Sequence, residues 1–400
     1  MTSQNSGNLT GEKILKILIY WWKVFNQEDI VEAFQNLGHT VGIYEQPEAL
    51  RKQNISKELE EKIAEYDLVF SLNYFSEVSS ACQKMGKPYA AWTVDSPMLT
   101  MFNTSVFNEC NYIFLFDKFD YYQFKQMGVK HVYYLPLAVN AKRVCKLLDG
   151  CAEEELSRFD SEISFVGGLY HKNSYDAIEP VLPEYLKGYF DACMEAQMDI
   201  FGENIFDRML TVDICEMLSE LIDFRKEEEA FSDIKLVFTS TYLGFKMAQR
   251  ERIDCLNRLA AKHSVDLYTD AEDESLIRVN VRGSVSYMEE MPKVFNRSRI
   301  NMNFTIRNIR TGLPLRIWDV LGSGGFLLTN YQLELGDFFE NGKDLVYYES
   351  REDMLRKADY YLEHESERQE IACSGREKVI KHHSYEQRLM KVLEIVRENI

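Results

Sequence analysis

Short apolar strands alternate with helical segments over the first 140 residues of this chain, and that rhythm limits its fold more than any other feature. Strand patterns lie at 14–20, 41–44, 68–72, 88–94, 112–116 and 132–135. A helix over 28–37 closed by Gly38, one ending near Met85 and Gly86, and one over 118–127 with Gly128 as its C-cap fall between them. Continuous apolar strands separated by helices predict a parallel sheet covered on both faces. Functional residues on such a sheet are expected just beyond the carboxyl ends of its strands. After Asn140 the rhythm stops, and the charged stretch 142–161 reads as a linker. Strand patterns return at 163–166, 265–268, 278–281, 300–304, 326–328 and 345–347, interrupted by a helical insertion over about 175–262. The economical architecture is α/β: two Rossmann-like domains facing across a cleft. The expected boundaries are a flexible tail at 1–10, an N-terminal domain at 11–141, the linker at 142–161, a C-terminal domain at 162–375 and a last helix at 376–400.

Charge distribution points to a ligand class. The chain has 64 acidic and 46 basic residues, a net charge of −18, which argues against general binding to nucleic acid. Between Pro292 and Trp318, however, stand Lys293, Arg297, Arg299, Arg307, Arg310 and Arg316 with no Asp or Glu. A window of that length would hold about four carboxylates at the chain's own composition. It runs into a loop and a helix start near Pro314, where free N–H groups and the helix dipole favour an anion. A small anionic ligand, held by Arg307, Arg310, Arg316 and the loop backbone, is therefore expected.

Other signals set the context. The polar N-terminus lacks a basic segment followed by an apolar run, so no signal peptide is expected. No apolar stretch reaches the ~20 residues needed to span a bilayer. Eight cysteines are scattered without a C-x-x-C pair, which reads as reduced thiols in a cytoplasmic protein. The histidines show no metal-ligand spacing, and the sequence has no Walker loop or G-x-S-x-G.

Three segments carry a family resemblance: Gly283 to Asn296, Ile300-Asn-Met-Asn303, and Gly312-Leu-Pro-Leu-Arg316-Ile-Trp-Asp319 running on through Gly324-Gly325 to Asn330. Together they resemble the C-terminal domain of the CgeB-like glycosyltransferases, a family named after a spore maturation protein and related to the GT-B enzymes. The tail from Tyr360 to His364, with His383 and Arg388, is similar. Trp92 to Pro97 and Leu135 to Ala138 resemble the partner domain. The resemblance implies a GT-B-like fold and a nucleotide-sugar donor, with a UDP-sugar expected. It places Asp319 at the second acid of an E-x7-E motif, to accept hydrogen bonds from ribose hydroxyls. The first acid falls at Thr311, where this chain departs from the motif. Backbone N–H groups at Thr311, Gly312 and Leu313 become the diphosphate contacts, reinforced by Arg316, whose fork matches phosphate oxygens. Gly167 and Gly168 with His171 and Lys172 occupy the place of a phosphate-facing glycine loop, and Gly283 and Tyr287 that of the nucleobase. Ordinary readings stand beside these: a helix-start acid, a surface arginine, a tight turn, a packed tyrosine.

Sugar transfer from a diphosphate passes through an oxocarbenium-like state and calls for a base on the acceptor hydroxyl. Asp95, at a strand end before Ser96-Pro97, is the first candidate, although an Asp-Ser-Pro turn explains it equally. Asp117 is the reserve, and Trp21 and Trp22 line an acceptor groove or simply pack. No Asp-x-Asp follows a suitable strand, so no metal and no cofactor beyond the donor is expected. The acceptor is a glycan, a protein or a small molecule. Alternatives on the same fold are a nucleotide-sugar epimerase or hydrolase, and a non-catalytic assembly protein of a spore or surface layer.

Overall fold

The computed structural model describes residues 13–45, 57–222, 224 and 229–398; the expected tail at 1–10 lies outside them. Six parallel strands make the first sheet: β1 (Lys16–Trp21), β2 (Thr40–Glu45), β3 (Leu68–Leu72), β4 (Tyr89–Trp92), β5 (Asn111–Leu115) and β6 (Val132–Tyr134). Their order is β2-β1-β3-β4-β5-β6. All residues of β3, β4 and β5 are buried, which is why they read in sequence as mainly apolar runs, broken only by Ser71 and Asn111, instead of alternating ones. The second sheet holds β7 (Ser161–Val166), β8 (Val265–Tyr268), β9 (Asn280–Val281), β10 (Ser298–Asn303), β11 (Leu327–Asn330) and β12 (Val346–Tyr348), in the order β12-β11-β10-β7-β8-β9 and again parallel throughout.

Between β7 and β8 the insertion folds as a helical unit with its own core of Phe190, Met194, Phe206, Leu218, Phe238, Leu243 and Met247, among others. Its last long helix, Phe245–Ala260, is entered through a π-helical turn, Phe238–Gly244.

Two expected boundaries move. The stretch read as a linker contains helices Ala141–Asp149 and Glu153–Leu156, and β7 already starts at Ser161. The expected start of the last helix, 376, falls inside helix Glu365–His382, and the final helix is Tyr385–Glu398. That final helix crosses to the N-terminal domain and packs on helix Gln27–Asn36. Asn26 Nδ2 donates to the Tyr385 hydroxyl at 2.9 Å, and the Tyr385 ring lies edge-on to Trp92. The apolar stripe of the last helix, Leu389, Val392, Leu393 and Val396, is buried there, so the chain end ties the two domains together.

Candidate active site

The carboxyl ends of both sheets open onto a shared cavity of about 380 Å³. From the N-terminal side come Val94, Asp95, Ser96 and Pro97, just past β4. From the C-terminal side come Gly167, Gly168 and Tyr170 past β7, the segment from Asn303 to Ile306 past β10, and Pro314 and Arg316 at the start of helix Leu315–Gly322. The insertion adds Ser240, Thr241, Phe245 and Arg252. Strand ends supply the walls because the topology brings every crossover connection to the same rim.

Asp95 stands exposed at the cavity rim. Asn73 Nδ2 donates to its Oδ2 at 2.6 Å, while Asn73 Oδ1 accepts the Val94 N–H at 2.8 Å. Desolvation by the surrounding cavity walls pushes the Asp95 carboxyl up, with the Asn73 bond opposing. A carboxylate so placed is aimed at the cavity and is more basic than one in water.

Two cations face it from the other domain. Pro314 gives helix Leu315–Gly322 no side-chain cap, so its first N–H groups remain available. The Arg316 guanidinium lies 5.1 Å over the Phe295 ring and makes no ion pair among the described residues. Burial lowers its proton affinity, with Asp319 opposing most strongly. The second cation, Arg252, is nearly buried. It donates to the Gly168 and Phe304 carbonyls and is flanked by the rings of Phe165 at 5.2 Å and Tyr170 at 4.7 Å. Its Nε has no partner. Gly168 has open space where a Cβ would stand.

Asp319 lies one turn beyond Arg316 and turns toward a much smaller cavity, about 10 Å³, with Arg143 and Tyr287. The Tyr287 hydroxyl donates to its Oδ1 at 2.9 Å. Burial raises the Asp319 carboxyl to about 6, against the pull of Arg316. Tyr287 also stacks on Phe25 of the N-terminal domain, ring centres 6.0 Å apart. The expected ribose and nucleobase residues are thus adjacent to each other, but outside the main cavity wall.

The basic window works differently from expectation. Arg307 pairs with Glu251 at 2.7 Å with both side chains almost fully buried, and Arg310 pairs with Asp207. Lys293, Arg297 and Arg299 reach Glu155, Asp160 and Glu162. The window lacks acids because its acids come from distant parts of the chain, and Arg316 alone of the six lines the cavity. Thr311, Gly312 and Leu313 do not reach the cavity either. The Thr311 hydroxyl lies 2.6 Å from Asp117 Oδ1 and 2.7 Å from Glu334 Oε1. One hydroxyl has one proton to give, so the two carboxylates share it, and Glu334 also accepts from the Lys118 N–H and the Tyr134 hydroxyl. Gly312 sits where a Cβ would come within 2.8 Å of the Phe116 carbonyl, and Leu313 is core. Asp117, the reserve base, accepts the N–H groups of Phe119, Arg310 and Thr311. With its oxygens so occupied, its place in the structure is that of a clip between domains.

His171 is half-buried and Lys172 exposed, and neither lines the cavity; Gly283 is exposed at φ +82. Trp22 donates its indole N–H to the Leu72 carbonyl at 2.6 Å, and neither Trp21 nor Trp22 lines the cavity. Sequence reading missed Arg252 and Tyr170. The available signal was Glu251-Arg252 inside the buried stripe of Met247, Ala248, Cys255, Leu256 and Leu259, since charges on an apolar stripe demand partners.

Residues 250–394 match a family model described as glycosyl transferase-like. No curated protein matches the sequence. Solved structures match almost end to end. Anabaena Alr3699/HepE in complex with UDP and glucose aligns with TM-score 0.55 at 10% identity, over 96% of this chain and 100% of that one. A glycosyltransferase from Rickettsia africae ESF-5 aligns at 0.53 and 12%, over 97% and 99%. T4 phage BGT in complex with its UDP-glucose substrate aligns at 0.51 and 11%, over 95% and 99%. At such identities the likeness shows the fold: this chain is a two-domain, Rossmann-like protein of the GT-B type.

Proposed function

We propose that this chain is a glycosyltransferase, of the CgeB-like kind, that moves a sugar from a nucleoside diphosphate, UDP for preference, to an acceptor hydroxyl. One observation carries the reading: Asp95 of one domain faces Arg316 and Arg252 of the other across one cavity between the carboxyl ends of the two sheets. The matched family model and the UDP-bound relatives support the donor class.

In this reading the diphosphate lies against the uncapped start of helix Leu315–Gly322 and the Arg316 fork. As the glycosidic bond breaks, negative charge gathers on the departing diphosphate, and fixed cations in a partly dry cavity stabilise it without reorganising. Arg252 adds charge from beneath Gly168, where the missing Cβ allows close approach. Asp95, held by Asn73, takes the proton from the acceptor hydroxyl as that oxygen attacks. Because two arginines supply the positive charge, turnover is proposed to need no divalent metal. All eight cysteines are free, in keeping with a proposed cytoplasmic setting.

The test is UDP release from a panel of UDP-sugars, with and without candidate acceptors and with EDTA. Acceptor-dependent release that survives EDTA supports the reading. Release independent of acceptor turns it into a hydrolase. Release only with added metal contradicts the metal-free part.

A further inference from the structure

Two more cavities continue from the donor cavity. The second, about 310 Å³, shares Pro97, Ser240 and Asn308 with the first. The third, about 710 Å³, shares Phe119 and Gln123 with the second. Together they form a groove that starts beside Asp95 and runs outward along helix Lys118–Gln126, walled opposite first by the helical insertion and the Asn308–Arg310 loop, then by Thr311, Leu333, Glu334 and Asp337. Phe119, Tyr122, Gln123 and Gln126 stand at i, i+3, i+4 and i+7 of that helix, so they share one face. Phe119 is 42% and Tyr122 55% exposed, large for aromatic groups that line a cavity.

The lining has the chemistry of a neutral, hydroxyl-rich chain. Its two outer cations are matched internally: Lys118 pairs with Asp337 at 2.7 Å, and Arg310 pairs with Asp207 while covering the Phe119 ring at 4.9 Å; Asp120, Asp233, Lys235 and Glu334 complete the charged lining. Glutamine and asparagine amides both donate and accept, as hydroxyls do, and flat aromatic faces take the C–H faces of sugar rings. From residue 119 to residue 126 the helix rises about 10 Å, a length that accommodates two hexose rings beyond the one at Asp95.

We propose that this groove is the acceptor site and that the acceptor is a glycan of several sugar units, laid over Phe119 and Tyr122 with its reacting hydroxyl at Asp95. The inference rests on the glycosyltransferase reading and deepens it by naming the acceptor class. Asp120, at the junction of the cavities, accepts from Ser96 Oγ at 2.7 Å and adds a polar group where the first acceptor ring would turn into the cleft.

The experiment is binding to a glycan array of one to six sugar units, in the presence of UDP, with vesicles containing polyprenyl phosphate and a random peptide library as further arms. Expected is binding that strengthens with glycan length. Tyr122→Ala and Gln126→Ala, both on the exposed side, should weaken binding of the longer glycans about 10-fold with little effect on single sugars. Phe119→Ala is the stronger variant but touches Arg310, so the two exposed positions keep the test decisive. A thermal shift with UDP in the same variants reports the donor site separately. If UDP binds and no glycan does, if lipid or peptide alone binds, or if length and Tyr122 make no difference, the groove proposal is overturned while the donor reading stands. If UDP also fails to bind, the donor reading falls with it.

Discussion

Asp95 is held by Asn73 at the cavity rim, where desolvation of its carboxyl raises its proton affinity and the Asn73 bond fixes its direction. Asp95→Asn keeps size and hydrogen bonding but removes the base. The expected result is a kcat lower by ~10²–10⁴-fold with UDP binding retained. The rising limb of the wild-type pH–rate profile should lie above the ordinary aspartate range, and an unchanged kcat in the variant would remove Asp95 from the chemistry. Asp120 gives a second test at this scale. Burial, then the nearby Asp117 charge, raises its carboxyl from 3.8 to about 8, against Ser96 and Arg310. Between roughly pH 4 and pH 8 the unfolded chain releases a proton that the folded chain keeps, so this group makes stability fall as pH rises. Asp120→Asn removes that slope. Thermal melts should show the variant gaining on the parent from about pH 5 to about pH 8, and a pH-independent difference would contradict the assignment.

The loop from Phe304 to Pro314 shows how an element's sequence can suggest one task and its contacts another. Its arginines suggest anion binding, yet Arg307 is sealed with Glu251, and Thr311 with Asp117 and Glu334. Arg307→Ala should destabilise by about 3–5 kcal/mol, because it strands Glu251 as a buried charge; chemical denaturation measures it, and a loss below ~1 kcal/mol would show that the pair relaxes. The strands were legible in the sequence because burial on both faces writes itself as an apolar run, as in Leu68–Leu72 and Asn111–Leu115. The ion pairs were not, because Glu251 and Asp207 lie 56 and 103 positions from their arginines and no local pattern records such pairing. Asp95, Gly167, Gly168 and Arg316 could be singled out since strand ends and helix starts are local features. Arg252 could not, because its part in the cavity depends on how the insertion docks.

At the scale of the whole molecule, two six-stranded parallel sheets meet across a cleft and are tied on both sides of it. The Asp117–Thr311–Glu334 clip holds one side, and the return of helix Tyr385–Glu398 onto the N-terminal domain holds the other. This architecture gathers a carboxylate from one domain and arginines from the other, the arrangement that the proposed transfer from a diphosphate donor requires. The most direct test of that claim is a thermal-shift series with UDP, GDP, ADP, dTDP and CMP, each with and without magnesium, on the wild type and Arg316→Ala. Ligand at ~100 Kd should add about 2.7 kcal/mol of stability. A shift selective for one diphosphate, UDP first, indifferent to magnesium and lost in Arg316→Ala, is the result this account predicts. No shift with any nucleotide, or a full shift in Arg316→Ala, would contradict it, and the absence of any shift would favour a non-catalytic assembly protein on the same fold.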